Sequence, residues 1–321
     1  MVFSSGFYYD LSEEEYHADP CVKPSLSSSL SKVIINQSLA HAKLKHPKLT
    51  QQEDIIERPE RKMEIGSVAH MMILGQPLEN IVRIDANDYK KVAAREEREN
   101  AYINGSQPIL EPDFDAASSI AIAFLEQISN SDASSFLYHE NKAEVTAIVQ
   151  DATGALLRAR FDKLEDNGTS AIIWDVKTGE QTAAPWTLGR RISNMEYEIQ
   201  AAFYIRVLSQ LRPELAGRIK FRWCFIENEP PHILQVAELD STGLSVGAKK
   251  VSTAIRLWNH AIKTDEWPGY PSGIIRAEYP PFAETKWLSR EENDEAIHKL
   301  PHDPYLTVSV IPRQNLELIG A

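Results

Sequence analysis

The stretch Ala171-Ile172-Ile173-Trp174-Asp175-Val176-Lys177-Thr178 runs apolar and then alternates. It reads as a strand. Successive side chains of a strand leave opposite faces, so Asp175 and Lys177 share one face while Trp174 and Val176 turn the other way, into a core. An acid and an ammonium side by side on a strand can hold a divalent metal and steady an attacking water. They can also be a plain surface ion pair. The surrounding segments have to decide between these.

Just upstream, residues 156–162 read as a partner strand that places Arg158, Arg160 and Asp162 on one face. Asp166-Asn167-Gly168 turns the chain back. Residues 143–149 form a third strand, opened by Glu144, and Asp151-Ala152-Thr153-Gly154 turns it into the second. The three make an antiparallel meander with acids along it.

Further out the pattern is mostly helical. Helices are expected over 11–19 with Ser12 as cap, over 25–34, and over 66–75. The last is apolar nearly all round, so burial is expected, with Gly75 closing it and His70 inside it. Residues 40–48 are polar and basic, and 51–62 read as a charged loop. A strand at 81–84, a charged helix at 88–100, a turn at 104–108 and an amphipathic helix at 113–128 follow. Downstream come a helix at 196–211, a hairpin of 219–227 with 232–239, and a long helix at 241–263 capped by Ser241. The expected fold is mixed α/β, a central mixed sheet of about five strands flanked by helices. Residues 1–265 are expected as one domain including its N-terminal helical region. Residues 266–321 are expected as a C-terminal extension packed on it.

Composition narrows the class. The chain has 321 residues, 43% of them hydrophobic and 25% charged, an ordinary globular mixture. No apolar run reaches the roughly 18 residues of a membrane span. The first residues lack the basic-then-apolar pattern of a secretory leader, and the two cysteines form no disulfide framework or zinc spacing. A cytoplasmic location without membrane association is the expectation. The net charge of −12 argues against a protein that simply coats nucleic acid, but leaves room for a local basic groove.

Asp162 and Asp175 offer the hard oxygens that Mg²⁺ prefers. Two such ions can clamp the attacking and leaving oxygens of a phosphodiester. Lys177 can orient or deprotonate the water, or neutralise charge building on phosphorus. Glu144 is either a further ligand or a strand-edge carboxylate. His70 is either a metal ligand or a hydrogen-bonded core residue. Gln200 and Tyr204, four apart on one helix, share a face. They either reach the phosphate and the lysine or belong to the boundary and the core. Arg190, Arg191 and Lys163 are candidate backbone contacts. No phosphate loop, dinucleotide fingerprint or nucleophile elbow is present in the sequence.

Five segments in order resemble a known family: Gly66-Ser67-Val68-Ala69-His70; Glu144-Val145; Arg160-Phe161-Asp162-Lys163-Leu164; Asp175-Val176-Lys177-Thr178; and Tyr197-Glu198-Ile199-Gln200-Ala201-Ala202-Phe203-Tyr204. They are similar to the RecE-type exonucleases, of the RecB-like branch of the PD-(D/E)XK nucleases, over roughly residues 8–265. Tyr16-His17 and the serine-rich 24–31 stretch look like that family's N-terminal region. The resemblance implies a PD-(D/E)XK restriction-endonuclease-like core and Mg²⁺-dependent 5′→3′ digestion of one strand of linear duplex DNA, with Mn²⁺ as a substitute; a nuclease of the same core acting on flaps, nicks or single-stranded DNA, or a non-catalytic DNA-binding module on that core, are the alternatives. It implies catalytic positions for Asp162, Asp175, Lys177, Gln200 and Tyr204, and metal-associated ones for His70, Asp162, Asp175 and Glu144. It also implies double-stranded DNA ends as substrate, a homo-oligomeric ring, and a single-strand annealing protein as partner. The chain departs from the pattern in lacking the Pro-Asp that names the superfamily: Trp174 precedes Asp175 and Phe161 precedes Asp162. Two isolated cysteines leave no place for the iron–sulfur cluster of some relatives.

Overall fold

The computed structural model describes residues 4–50, 58–138, 140 and 142–298. Its first half runs β1 (Gly6–Tyr8), α1 (Glu13–His17), α2 (Ser28–Asn36), α3 (Leu39–Lys45), α4 (Arg61–Ile73), β2 (Ile81–Ile84), α5 (Val92–Ile103), β3 (Gln107–Leu110) and α6 (Glu111–Ser129). Then come β4 (Lys142–Gln150), β5 (Leu156–Asp166), β6 (Ala171–Gly179), α7 (Pro185–Met195), α8 (Tyr197–Leu211), β7 (Ile219–Glu227), β8 (Leu234–Glu238) and α9 (Ser241–Thr264). Two further helices, α10 (Pro281–Asn293) and α11 (Glu295–His298), fall in a second compact unit, Pro271–Ala321; the first unit is Met1–Tyr270. Residues just past 265 stay with the first unit because Trp267 stands edge-on to Trp258 at 5.6 Å and Pro268 O accepts from Ala40 N–H.

Helix boundaries follow local hydrogen-bond chemistry. Ser12 and Glu15 close a capping box on α1, and Ser27 and Ser38 cap α2 and α3. Asp240, not Ser241, caps α9: its carboxylate accepts Gly243 N–H at 2.7 Å, and a negative charge suits the positive end of the helix. Helix α5 starts at Val92 rather than 88 because Asp88 Oδ1 accepts Lys90 N–H and holds those residues in a turn. The expected turn at 104–108 ends sooner, since Gln107 already begins β3, which pairs parallel with β2 around α5. Helix α7 had no counterpart in the sequence reading; Pro185 in its first turn was an available signal.

Six strands form the main sheet in the order β1-β4-β5-β6-β7-β8, one more than expected because three residues at the N-terminus add β1 beside β4. The β4-β5-β6 meander is antiparallel as expected. Helices α7 and α8 then carry the chain across so that β7 runs parallel to β6. The central mixed sheet flanked by helices is therefore as the sequence implied.

Each face of the sheet buries a different half of β6. Ile173 packs with Phe161, Trp223 and Phe225 against α2, α8 and α9. Trp174 and Val176 pack with Cys224 and Ile226 against α4 and α6. Small residues let the helices close in. A Cβ at Gly66 on α4 would stand 2.9 Å from Thr178 Oγ1 of β6, so only glycine permits that approach without displacing the threonine. Helix α4 is not buried all round, contrary to expectation. Val68, Ala69 and Ile73 are buried, but His70 and Met71 are half-buried and Met63 is exposed. The uncovered side is the one that carries the site.

Candidate active site

The site forms where two strands part. Pairing between β5 and β6 runs only from Asp166↔Ala171 to Lys163↔Trp174. Past that point β6 stays with β7 alone, as far as Gly179↔Glu227. Asp162 sits at the fork, and its Oδ2 accepts Val176 N–H at 2.7 Å, where a strand partner would otherwise bond. The carboxylate thus satisfies the backbone group that the split leaves open.

Asp175 approaches from the other face and is 1% exposed. Gln200 Nε2 donates to its Oδ1 at 2.6 Å, and Lys177 Nζ lies 2.7 Å from its Oδ2. That Oδ2 accepts no well-aligned hydrogen bond, although it is buried. Across the fork, His70 Nε2 is 3.0 Å from Asp162 Oδ2. Asp162, Asp175, Lys177, Gln200 and His70 are therefore brought together.

Glu144 joins them at one remove. It takes a left-handed φ of 53° in mid-strand, between the regular pairs Ala143↔Lys163 and Val145↔Phe161. Such a conformation costs on the order of 1 kcal/mol or more for a residue with a side chain, and strain of this kind clusters at functional sites. Glu144 Oε2 accepts from Arg160 Nε at 2.6 Å and Oε1 from Gln76 Nε2 at 2.7 Å. His70 Nδ1 stands 3.9 Å from Oε1. With both oxygens engaged, Glu144 orients Arg160 and the imidazole.

Tyr204 stands behind Gln200, in the field of both Asp175 and Asp162. It is buried, edge-on to Phe161 at 5.2 Å and tilted against Phe221 at 6.0 Å. It fixes α8 on the sheet one turn after Gln200. Burial holds its pKa well above that of a free phenol, so the hydroxyl keeps its proton. Of the basic candidates, Lys163 lies over the Phe136 ring, Arg190 is exposed on α7, and Arg191 is buried over Phe225, the strand neighbour of Lys177. Two residues that the sequence did not single out do face the site, Lys32 on α2 and Tyr197 at the start of α8. Lys32 Nζ is 4.9 Å from the Tyr197 ring centroid and Lys177 Nζ is 5.1 Å from it. Lys32 carried no signal beyond its place beside the serine-rich stretch.

Electrostatics sharpen the roles. Burial pulls His70 down, but Asp162, Glu144 and Asp175 outweigh it and push its pKa up to about 9, so it is an imidazolium at neutral pH. Burial would raise Asp162, but His70, Lys177 and the Val176 N–H hold it below the usual carboxylate range. Asp175 goes the other way: burial outweighs Lys177 and lifts it to about 6. Burial pulls Lys177 down, yet Asp175 and Asp162 raise it, so its Nζ is an ammonium. The two acids are kept close by two cations.

The family described as "PDDEXK-like domain of unknown function (DUF3799)" matches residues 27–278, which span every element from α2 to α9 and all of the residues at the fork. The chain belongs to this PDDEXK-like family. The crystal structure of a protein from Eubacterium rectale, described as a candidate exonuclease, superposes on the PDDEXK-like chain with a TM-score of 0.54. The match covers 86% of this chain and 98% of that one at 14% identity, a likeness of fold. The structure of SSO0001 is 14% identical over 61% of this chain and 85% of that one; its TM-score of 0.26 carries no argument. No curated protein matches.

Family and fold together support a nuclease. PD-(D/E)XK nucleases in general use divalent metals. Among the described residues no three His, Cys, Asp or Glu side chains are arranged as a metal centre. The donor set at the fork nonetheless fits one. Asp162 and Asp175 supply hard oxygens, and Asp175 Oδ2 is a buried acceptor with no aligned donor. No helix among the described residues is long and apolar enough to cross a membrane.

Proposed function

We propose that this PDDEXK-like protein is a divalent-metal-dependent exodeoxyribonuclease. In this reading it digests one strand of linear duplex DNA in the 5′→3′ direction and leaves a 3′ single-stranded tail. The observation that carries the nuclease reading is the fork itself: two carboxylates from opposite faces of one sheet meet where β5 and β6 separate, beside a buried ammonium. Polarity, preference for ends, a ring of subunits and a single-strand annealing partner rest on the resemblance to RecE-type exonucleases and belong to the same proposal.

Asp162 and Asp175 would hold Mg²⁺, with His70 beside them. A bound divalent cation supplies charge neutralisation on the phosphodiester and a more acidic water. The chain's own residues do the rest. Gln200 locks the Asp175 carboxylate through its 2.6 Å bond, so the acid need not reorganise when substrate arrives. Lys177 is an ammonium, which suits it to neutralise charge on phosphorus and not to accept a proton from water. His70 and Arg160 balance the acids until a cation and a phosphate replace that balance.

The test is a time course on linear duplex DNA labelled at the 5′ or the 3′ end, with Mg²⁺ or EDTA, and with Asp175→Ala as control. Early Mg²⁺-dependent release of the 5′ label, absent in the variant and absent on closed circular DNA, is the expected result. Release of the 3′ label first would overturn the polarity. No cleavage of any linear, branched or single-stranded DNA would overturn the enzyme.

A further inference from the structure

We infer that Lys32 is a second phosphate-binding cation of this site, gripping a backbone phosphate of the DNA strand next to the one that is cleaved. The inference deepens the nuclease reading and rests on it. Its basis is a charge that makes no ion pair within 4.0 Å among the described residues.

Lys32 is half-buried on α2 and donates from Nζ to Met195 O at 3.1 Å. Its ammonium and that of Lys177 flank the same Tyr197 ring, at 4.9 and 5.1 Å from the centroid. Tyr197 is held in place by Trp223 and Phe225, stacked at 6.5 Å and inclined at 6.2 Å. The two nitrogens are thus set within about 10 Å of each other by a fixed spacer, a span that two neighbouring phosphates of one strand can bridge. Burial and then repulsion by Lys177 lower the Lys32 pKa.

The acids that attract Lys32, namely Asp175, Glu196 and Glu198, each pair more closely with another cation. Asp175 has Lys177 and Gln200. Glu196 has Lys250 at 3.1 Å and the Asn36 amide. Glu198 has Lys250 at 2.7 Å. Among the described residues Lys32 forms no ion pair within 4.0 Å. A partly desolvated cation beside another cation is unfavourable in the free protein. It becomes favourable when an anion sits between them, and charge-assisted bonds from ammonium to phosphate are among the stronger ones. A purely structural role is the alternative: Lys32 would then serve only to satisfy the terminal carbonyl of α7. That role needs a donor but no charge, so a glutamine would fill it.

The difference gives the test. DNA affinity is measured against salt concentration for the full chain in a cleavage-deficient Asp175→Ala background, with Lys32 intact and with Lys32→Gln and Lys32→Arg. Each phosphate contact contributes about 0.7–0.9 to the slope of log affinity against log salt. Lys32→Gln is expected to lower that slope by roughly this amount and to weaken binding about tenfold at 0.1 M salt, while Lys32→Arg keeps the slope. In the active protein Lys32→Gln should raise KM more than it lowers kcat, with an unchanged melting temperature. An unchanged slope in Lys32→Gln overturns the assignment and leaves the nuclease standing. A slope change in a protein that cuts no DNA overturns the nuclease and keeps the phosphate contact. Absence of salt-dependent DNA binding in the Asp175→Ala protein overturns both.

Discussion

Replacing Gly247 by alanine tests how the site is held from behind. Gly247 is buried in α9, and a Cβ there would meet the backbone oxygen of Glu198 at 2.3 Å, its carbonyl carbon at 2.9 Å and Ala202 Cβ at 3.1 Å. The obstacle is the backbone of α8, not the end of a flexible side chain. The helices must part by at least about 0.7 Å before the contact becomes tolerable. Two effects compete. Alanine in a helix interior gains about 1 kcal/mol over glycine. Overpacking a closed interface costs about 1–3 kcal/mol, and a backbone clash lies at the upper end. The cost should win by about 1–2 kcal/mol, lowering the urea midpoint and the melting temperature by a few degrees. The same displacement moves α8, which carries Gln200 and its 2.6 Å bond to Asp175. Misplacement of about 1 Å costs up to about a hundredfold in rate, so nuclease turnover should fall by about ten- to a hundredfold. Denaturation and end-labelled DNA assays on one preparation read both effects. A Gly247→Ala protein that is more stable and equally active would refute the close α8–α9 contact and the link from it to the site.

Three further outcomes follow from the geometry. Lys177→Ala should lower kcat by about a hundredfold or more, because a positioned charge next to the phosphoryl group is lost; a wild-type rate in a DNA-cleavage assay would reduce Lys177 to a plain ion pair. The His70–Asp162 pair should stabilise the metal-free protein in a pH-dependent way. With the folded pKa raised to about 9, that stability is present in full below the unfolded value of about 6.5 and is lost as pH rises through 9. In EDTA, the stability difference between wild type and His70→Ala should shrink over that interval, and a difference that grows would contradict the pairing. Asp19 is buried with His46 at 3.1 Å and Arg158 at 3.4 Å. Burial raises its pKa, but His46, Arg158 and Ser25 bring it down to about 2. Its contribution is therefore present above about pH 4 and lost as pH falls toward 2. Asp19→Asn should cost about 3 kcal/mol or more at pH 7 by urea denaturation, and less at pH 3, because Arg158 is left buried and unpaired; equal costs at both pH values would argue against the ion pair.

The pattern of residues 143–178 was enough to place three antiparallel strands and to put Asp175 and Lys177 on one face opposite Trp174 and Val176. Those conclusions rest on the two-residue period of a strand, which is local. Caps were legible for the same reason where one serine was favoured, as at Ser12, and misplaced by one residue at Ser241, where the neighbouring Asp240 caps instead. Helix α7 was legible too: Leu188, Ile192 and Met195 recur at helical spacing behind Pro185, a signal that the sequence reading passed over. The segment 66–75 read as buried all round because methionine and glycine look apolar, whereas one side of the folded helix is left uncovered.

Alternation along β5 separates Phe161, in the core under α8, from Asp162 on the opposite face. Asp175 leaves β6 toward α8, so a flat sheet would have kept the two acids apart. The sequence carried the identities of both acids and the lysine, because residue type and strand period are properties of short segments. Only the tertiary structure decided that they meet. The fork between β5 and β6, the turn of Glu144 into the left-handed region and the approach of α4 at Gly66 all arise from packing between segments distant in the chain. Tyr204 was buried behind Gln200, and Lys32 came to the site from α2, for the same reason. A side chain's partner across long sequence separations depends on how whole elements pack, and no local period encodes it.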